Sequence, residues 1–224
     1  MSGMTTKSPI VTLTPAPTLD RTYTVTDLHS GAVNRADSVG EELAGKGINV
    51  ARALHLAGIP APAVVPIGNA EKGILERTGS KNFLVPLWID GTIRVSTTIL
   101  ERGGTTTKVN EAPKPLSSKE WQQVIELTEK TVLENDAKWL VVAGALPIDE
   151  STGTFVDLHP IFERMEKLGV RVVLDTSGEP LAYWVRQGEA AILKPNAEEL
   201  ASAVGRDLLT NGDVIEAARE LARC

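Results

Sequence analysis

Short apolar runs rich in β-branched residues recur at 10–13, 61–67, 139–143, 170–174 and 191–193, alternating with segments whose apolar residues fall at helical spacing. The helical segments are 48–57, 71–77, 117–134, 155–168, 181–187, 197–204 and 214–222. Strands that are apolar on both sides need cover on both faces, and a parallel neighbour is reached only through a crossover, usually a helix. The alternation therefore predicts an α/β fold in three layers, a central, mostly parallel sheet with helices on both faces. Ligands bind such sheets beyond the carboxyl ends of the strands. Here that gathers 14–20, 144–147, 175–178 and 194–196 around one crevice.

The stretches 21–27, 31–43, 92–100 and 105–110 have a different character. They are polar at alternate positions, too wet for a parallel core, and Glu101-Arg102-Gly103-Gly104 joins the last two as a hairpin. A separate small sheet with one solvated face is expected. At 224 residues and 42% hydrophobic content the chain can fill one α/β core with a small appendage. Its net charge of −6, with no cluster of Lys or Arg, argues against a general nucleic-acid binder and points to small-molecule partners. The single Cys224 excludes an intramolecular disulfide and a cysteine-based metal site. No apolar stretch suits a signal peptide in residues 1–10 or reaches membrane-spanning length, so a cytoplasmic protein is expected.

Gly45-Lys46-Gly47 opens directly into the first helical segment. Glycines that allow close backbone approach, a helix N-terminus and a lysine charge together make an anion cradle. From Gly40 the segment comes within one residue of the pattern G-x-x-x-x-G-K-[ST], but Gly47 lacks the hydroxyl that would hold Mg²⁺, and Glu41 and Glu42 would put negative charge into a phosphate loop. A P-loop is excluded; a plain glycine turn capping a helix stays open. Asn196 and Glu199 read as an N-cap and its capping-box partner, and Asp20 as a turn former. His29, His55 and His159 lie on unrelated elements and make no metal or triad constellation.

Taken together, 11–15, Leu19-Asp20-Arg21, Val33-Asn34-Arg35, Gly45-Lys46-Gly47-Ile48-Asn49, Gly144-Ala145-Leu146-Pro147, Asp175-Thr176-Ser177-Gly178 and Lys194-Pro195-Asn196 with Glu199 resemble the PfkB sugar kinases of the ribokinase-like superfamily. The similarity is greatest to the 1-phosphofructokinase branch, with the tagatose-6-phosphate kinases as near relatives. The resemblance implies one kinase domain over 1–224, with lid segments at about 20–43 and 86–112 that pair in a homodimer. It also implies ATP with Mg²⁺, and transfer to the 6-hydroxyl of fructose 1-phosphate. Substrate would meet Asp20, Gly45, Lys46, Asn49 and Arg94, with Lys46 and Arg94 on the existing phosphate and Arg35 a weaker candidate. The nucleotide would meet Lys194, Asn196 and Glu199, the last two acting on Mg²⁺ through water, and Asp175 would form a wall of the site. The catalytic Asp of these kinases lies in a Gly-Ala-Gly-Asp stretch that falls beyond Cys224, so no residue here is expected to be the base. Little turnover is expected of these 224 residues, and the alternative function is a tagatose-6-phosphate kinase or a non-catalytic sugar-phosphate-binding protein.

Overall fold

The computed structural model describes residues 7–77 and 82–223. Its strands are β1 (Ile10–Leu13), β2 (Thr18–Val25), β3 (Ser38–Ala44), β4 (Ala63–Gly68), β5 (Leu84–Ile89), β6 (Arg94–Glu101), β7 (Thr106–Asn110), β8 (Trp139–Ala143), β9 (Arg171–Asp175) and β10 (Ile192–Leu193). Its helices are α1 (Lys46–Leu56), α2 (Lys72–Arg77), α3 (Ser118–Asn135), α4 (His159–Lys167), α5 (Gly178–Gln187), α6 (Ala197–Val204) and α7 (Asn211–Leu221). The fold is the expected three-layer α/β arrangement.

Six strands form one sheet in the order β10-β9-β8-β1-β4-β5, every pairing parallel. β1 lies at its centre: the chain first builds outward through β4 and β5, then returns to lay β8 on the other side of β1. That reversal opens a crevice at the carboxyl ends of β1 and β8. The two faces have separate cores. Leu13, Val64, Leu140 and Val142 pack with Val124, Ile125 and Val132 of α3 and Met165 of α4. Ala63, Val65 and Ile67 pack on the opposite face with Ile48 and Ala51 of α1. β4 thus sends alternate side chains into both cores, as a two-sided parallel strand must.

The other sheet has the order β3-β2-β6-β7. Its second contribution begins at Arg94 and not near 86, because Leu84–Ile89 pairs with β4 in the large sheet, Ala63↔Leu84 through Gly68↔Ile89. Pro86 hid this strand from the sequence reading; it is tolerated because β5 is the sheet edge and needs no further donor there. The helix expected from 155 begins only at His159, so that Pro160 falls in the first turn, where its missing N–H costs nothing. The Thr78-Gly79 stop proposed for α2 and the lone Cys224 lie outside the described residues. Among the described residues no helix is long and apolar enough to cross a membrane.

Candidate active site at the carboxyl ends of the strands

The first part of the site is the seat of α1. Thr14, the residue after β1, is buried, and its Oγ1 accepts the Ile48 N–H at 2.9 Å. A Cβ added at Gly47 would lie 2.5 Å from Thr14 Oγ1 and 2.8 Å from the Leu13 carbonyl oxygen. At Gly45, with φ of +149°, it would lie 2.4 Å from Thr14 Cγ2. Both glycines are therefore demanded by the close seating of the helix on the end of β1. Thr14, which sequence reasoning passed over, already takes one of the first-turn donors, and the N–H groups of Lys46 and Gly47 have no intrahelical acceptor.

Around this helix start, charges converge from three elements. Lys46 Nζ lies 2.8 Å from Asp175 Oδ1 and 3.7 Å from Glu199 Oε1, while Lys194 Nζ lies 3.2 Å from Asp175 Oδ2. Asp175 ends β9 and is nearly buried, so both of its oxygens are committed to lysines. Its main-chain carbonyl also receives the Gly144 N–H at 2.8 Å, which draws the ends of β8 and β9 together. Asn196 and Glu199 form the capping box of α6: Asn196 Oδ1 accepts the Glu199 N–H at 2.7 Å, and Glu199 Oε2 accepts the Asn196 N–H at 2.8 Å. Capping uses only one oxygen of Glu199 and leaves the other facing Lys46. Asn49 is exposed, and its Oδ1 accepts from Arg52 at 3.0 Å.

A second group sits on the small sheet. Asp20, expected in a loop after β1, is the third residue of β2, paired with Glu42 on one side and Ser96 on the other. Directly paired residues share a face, so Thr18 and Asp20 line up with Arg94 and Ser96 of β6 and with Lys108 and Asn110 of β7. This face is polar; the opposite one carries Leu19, Leu43 and Val95 into the second core. Burial pushes the Asp20 carboxyl above 3.8, assisted by Glu42 and opposed by the Thr18 hydroxyl, Arg94 and Lys108. Burial lowers the Arg94 pKa, opposed by Asp20. Asp20 Oδ1 and Arg94 Nε are enclosed and have no hydrogen-bond partner among the described residues. Among the described residues Arg94 otherwise reaches main-chain oxygens alone, Ala16 at 3.3 Å and Glu111 at 3.5 Å.

Lys46 and Arg94 therefore belong to different charge groups. Thr18 pairs with Ala44 on one side and Arg94 on the other, so the backbone of Arg94 lies two strand spacings, about 10 Å, from that of Ala44, two residues before Lys46, and the groups flank the same end of β2. Lys108 was missed by sequence reasoning; only its period-two register with Thr98 and Asp20 marks it. Arg35 is exposed in the connection between β2 and β3. Among the described residues no group of three or more His, Cys, Asp or Glu side chains is placed to hold a metal.

A parallel α/β sheet with ligand-ready groups at its switch point and a small sheet beside it defines a class of small-molecule enzyme folds. Residues 16–223 match the pfkB family of carbohydrate kinases, and the chain belongs to that family. It is 31% identical to the ATP-dependent 6-phosphofructokinase isozyme 2 of Escherichia coli over 95% of this chain and 68% of that protein. With the 1-phosphofructokinase of Haemophilus influenzae it shares 28% identity over 95% of this chain and 66% of that protein. The structure of E. coli phosphofructokinase-2 in complex with fructose-6-phosphate superposes with a TM-score of 0.81 at 29% identity, covering 96% of this chain and 70% of that one. The chain thus spans about two thirds of the length of these relatives.

Proposed function

We propose that this chain binds a fructose phosphate between its two charge groups, as part of a phosphofructokinase-type kinase that moves the γ-phosphoryl group of ATP to a sugar hydroxyl. The observation that carries this reading is the enclosed, unpartnered pair Asp20 Oδ1 and Arg94 Nε on one polar sheet face. A buried acceptor and a buried donor left unpaired each cost about 1–3 kcal/mol, a cost that a ligand bearing hydroxyls and phosphate oxygens removes. Asp20 accepts from sugar hydroxyls, and Arg94 with Lys46 holds the phosphate already on the sugar. Gly45 provides backbone access beside Lys46, and Asn49 would reach the sugar by leaving Arg52.

On the other side, Lys194 would neutralise nucleotide phosphates, and the Glu199 oxygen that the cap does not use would meet a hydrated Mg²⁺. The residues fit because, among the described residues, Glu199 Oε1 is held by a long contact to Lys46 alone, whereas Asn196 Oδ1 is taken by the cap. ATP·Mg²⁺ would supply the transferable group and offset its charge. Asp175, gripped by two lysines, positions them and is not assigned as the base. Fructose 1-phosphate, accepting at its 6-hydroxyl, is the first substrate to test. Fructose 6-phosphate is the second, favoured by the 31% identity to a 6-phosphofructokinase. Pairing of two copies through the small sheet is supported by the exposed Val39 and Val109 on its strands, and light scattering that reports a monomer at micromolar concentration would overturn that pairing.

Calorimetry with both sugar phosphates, alongside a coupled assay for ADP release with MgATP, tests the reading. Binding of either sugar phosphate, weakened in Arg94→Ala and Lys46→Ala, supports it. Unchanged affinity in both variants removes the assignment. Turnover by these 224 residues would show that a base lies among them, and Asp175→Asn and Asp20→Asn would then be the first variants to assay.

A further inference from the structure

Glu71 follows β4 in a short 3-10 turn, Asn69–Glu71, and is buried at 8% exposure without an ion-pair partner among the described residues. One of its oxygens, Oε2, is fully enclosed and has no hydrogen-bond partner among the described residues. A charged side chain costs more to bury than an apolar residue of its size, so this carboxylate calls for a reason beyond filling space. Its surroundings supply one. A Cβ built on Gly68 would lie 2.5 Å from Glu71 Oε2, 2.4 Å from the Gly91 carbonyl oxygen and 2.7 Å from Thr92 Cα, so the end of β4, the carboxylate and the 90–93 turn meet at one point. Only glycine at 68 permits that approach.

That turn is the link from β5 of the large sheet to β6 of the small one, and Arg94 is the first residue beyond it. Several contacts hold it. Ala70 N–H donates to the Gly91 carbonyl at 3.4 Å, and Asn69 Nδ2 donates to Asp90 Oδ1 at 3.4 Å. Glu71 is directed toward the main-chain N–H of Ile93, and Glu120 of α3 toward that of Asp90, which places a carboxylate near each end of the turn. Other charged groups nearby have partners of their own: Lys72 lies over the Trp88 ring at 5.2 Å and Arg94 reaches the main-chain oxygens of Ala16 and Glu111, while Glu120 also accepts from Ser117. Burial pushes the Glu71 carboxyl above 4.5, partly opposed by the Ile93 N–H and its own.

We propose that Glu71 is a positioning residue that ties the 90–93 turn to the end of β4 and thereby sets where Arg94 stands over the sugar-phosphate site. The second half of this statement rests on the function proposed above for Arg94; the tie itself does not. Ionised, Glu71 makes the stronger acceptor for the Ile93 N–H, so the tie slackens as the pH falls through its raised pKa.

Hydrogen exchange on the full chain, compared among wild type, Glu71→Ala and Glu71→Gln, tests it. In Glu71→Ala the amides of 91–95 are expected to exchange at least about tenfold faster, with those of β1 and β8 unchanged, the factor corresponding to the loss of one net hydrogen bond. Glu71→Gln keeps an acceptor and restores protection, and it lacks the acid-induced loosening at 91–95 that wild type shows. Fructose 1-phosphate affinity, read by calorimetry, falls in Glu71→Ala and returns in Glu71→Gln. Unchanged exchange at 91–95, or loss spread evenly over the large sheet, overturns the proposal. Should Glu71→Ala fail to fold, identical pH dependence at 91–95 in wild type and Glu71→Gln overturns it equally. Local exchange changes in a protein that binds neither fructose 1-phosphate nor fructose 6-phosphate would retain the tie and sink the sugar-phosphate reading instead.

Discussion

The two sheets of this protein are built by opposite means. In the large sheet β4 is buried at every residue, whereas in the small one β7 has no buried residue. Two-sided burial makes the parallel sheet the stable frame, since each fully buried Val, Leu or Ile contributes about 1.5–3 kcal/mol. The small sheet joins the second core at its root through Leu19, Leu43, Ile93 and Val95, and spends its other face on polar groups. The candidate binding groups are thus divided between a floor at the ends of the large sheet (Lys46 and Lys194 with their partners Asp175 and Glu199) and a more weakly held wall (Asp20, Arg94). Site and stability are separable here, and substitutions on the wall should change binding with little effect on folding.

The largest expected contrast sets Leu140→Ala against Val109→Ala. Leu140 is fully buried in β8, and its truncation should cost about 2–5 kcal/mol in chemical denaturation. Val109, 61% exposed, should cost less than about 0.5 kcal/mol. Equal losses would erase the distinction between the sheets.

Gly47→Ala should follow, at about 1–3 kcal/mol, because the new methyl meets Thr14 Oγ1 and the Leu13 carbonyl and backbone must move. Thermal melts showing no loss would mean that α1 is not seated as closely on β1 as the geometry requires.

Arg94→Ala should weaken fructose 1-phosphate binding about tenfold or more, as expected for a charge-assisted contact of about 1.5–3 kcal/mol. Chemical denaturation of the same variant should shift far less than that of Leu140→Ala. A stability loss that matches the affinity loss would show that the wall is part of the frame.

The smallest effect is pH-dependent. Asp20 has its folded-state pKa raised, so the folded chain keeps this proton at pH values where the unfolded chain has released it. The stability associated with the neutral form is fully present below the unfolded value near 3.8 and is lost as the pH rises through the folded value. Asp20→Asn should therefore match wild type in acid and melt higher near neutrality, while binding sugar phosphate more weakly. A melting difference that is independent of pH would refute the burial of this carboxylate.

Much of this could be read from the chain alone. Apolar runs separated by helical spacing required a doubly covered parallel sheet, because no other arrangement hides strands that are apolar on both sides. The capping box of Asn196 and Glu199 was likewise legible, since its partners are three residues apart and every contact is local. β5 was not, because a proline at 86 opposes a strand everywhere except at an edge, and edge position is a property of the assembled sheet. The meeting of Lys46, Asp175 and Lys194 was also decided in three dimensions, since 129 residues separate Lys46 from Asp175. Sequence determined which residues could bind an anion. Tertiary structure decided their partners: parallel crossovers brought the ends of β1, β8 and β9 together, and the register of the small sheet put Asp20, Arg94 and Lys108 on one face. Strand register depends on pairings between distant segments, and local spacing carries no record of them.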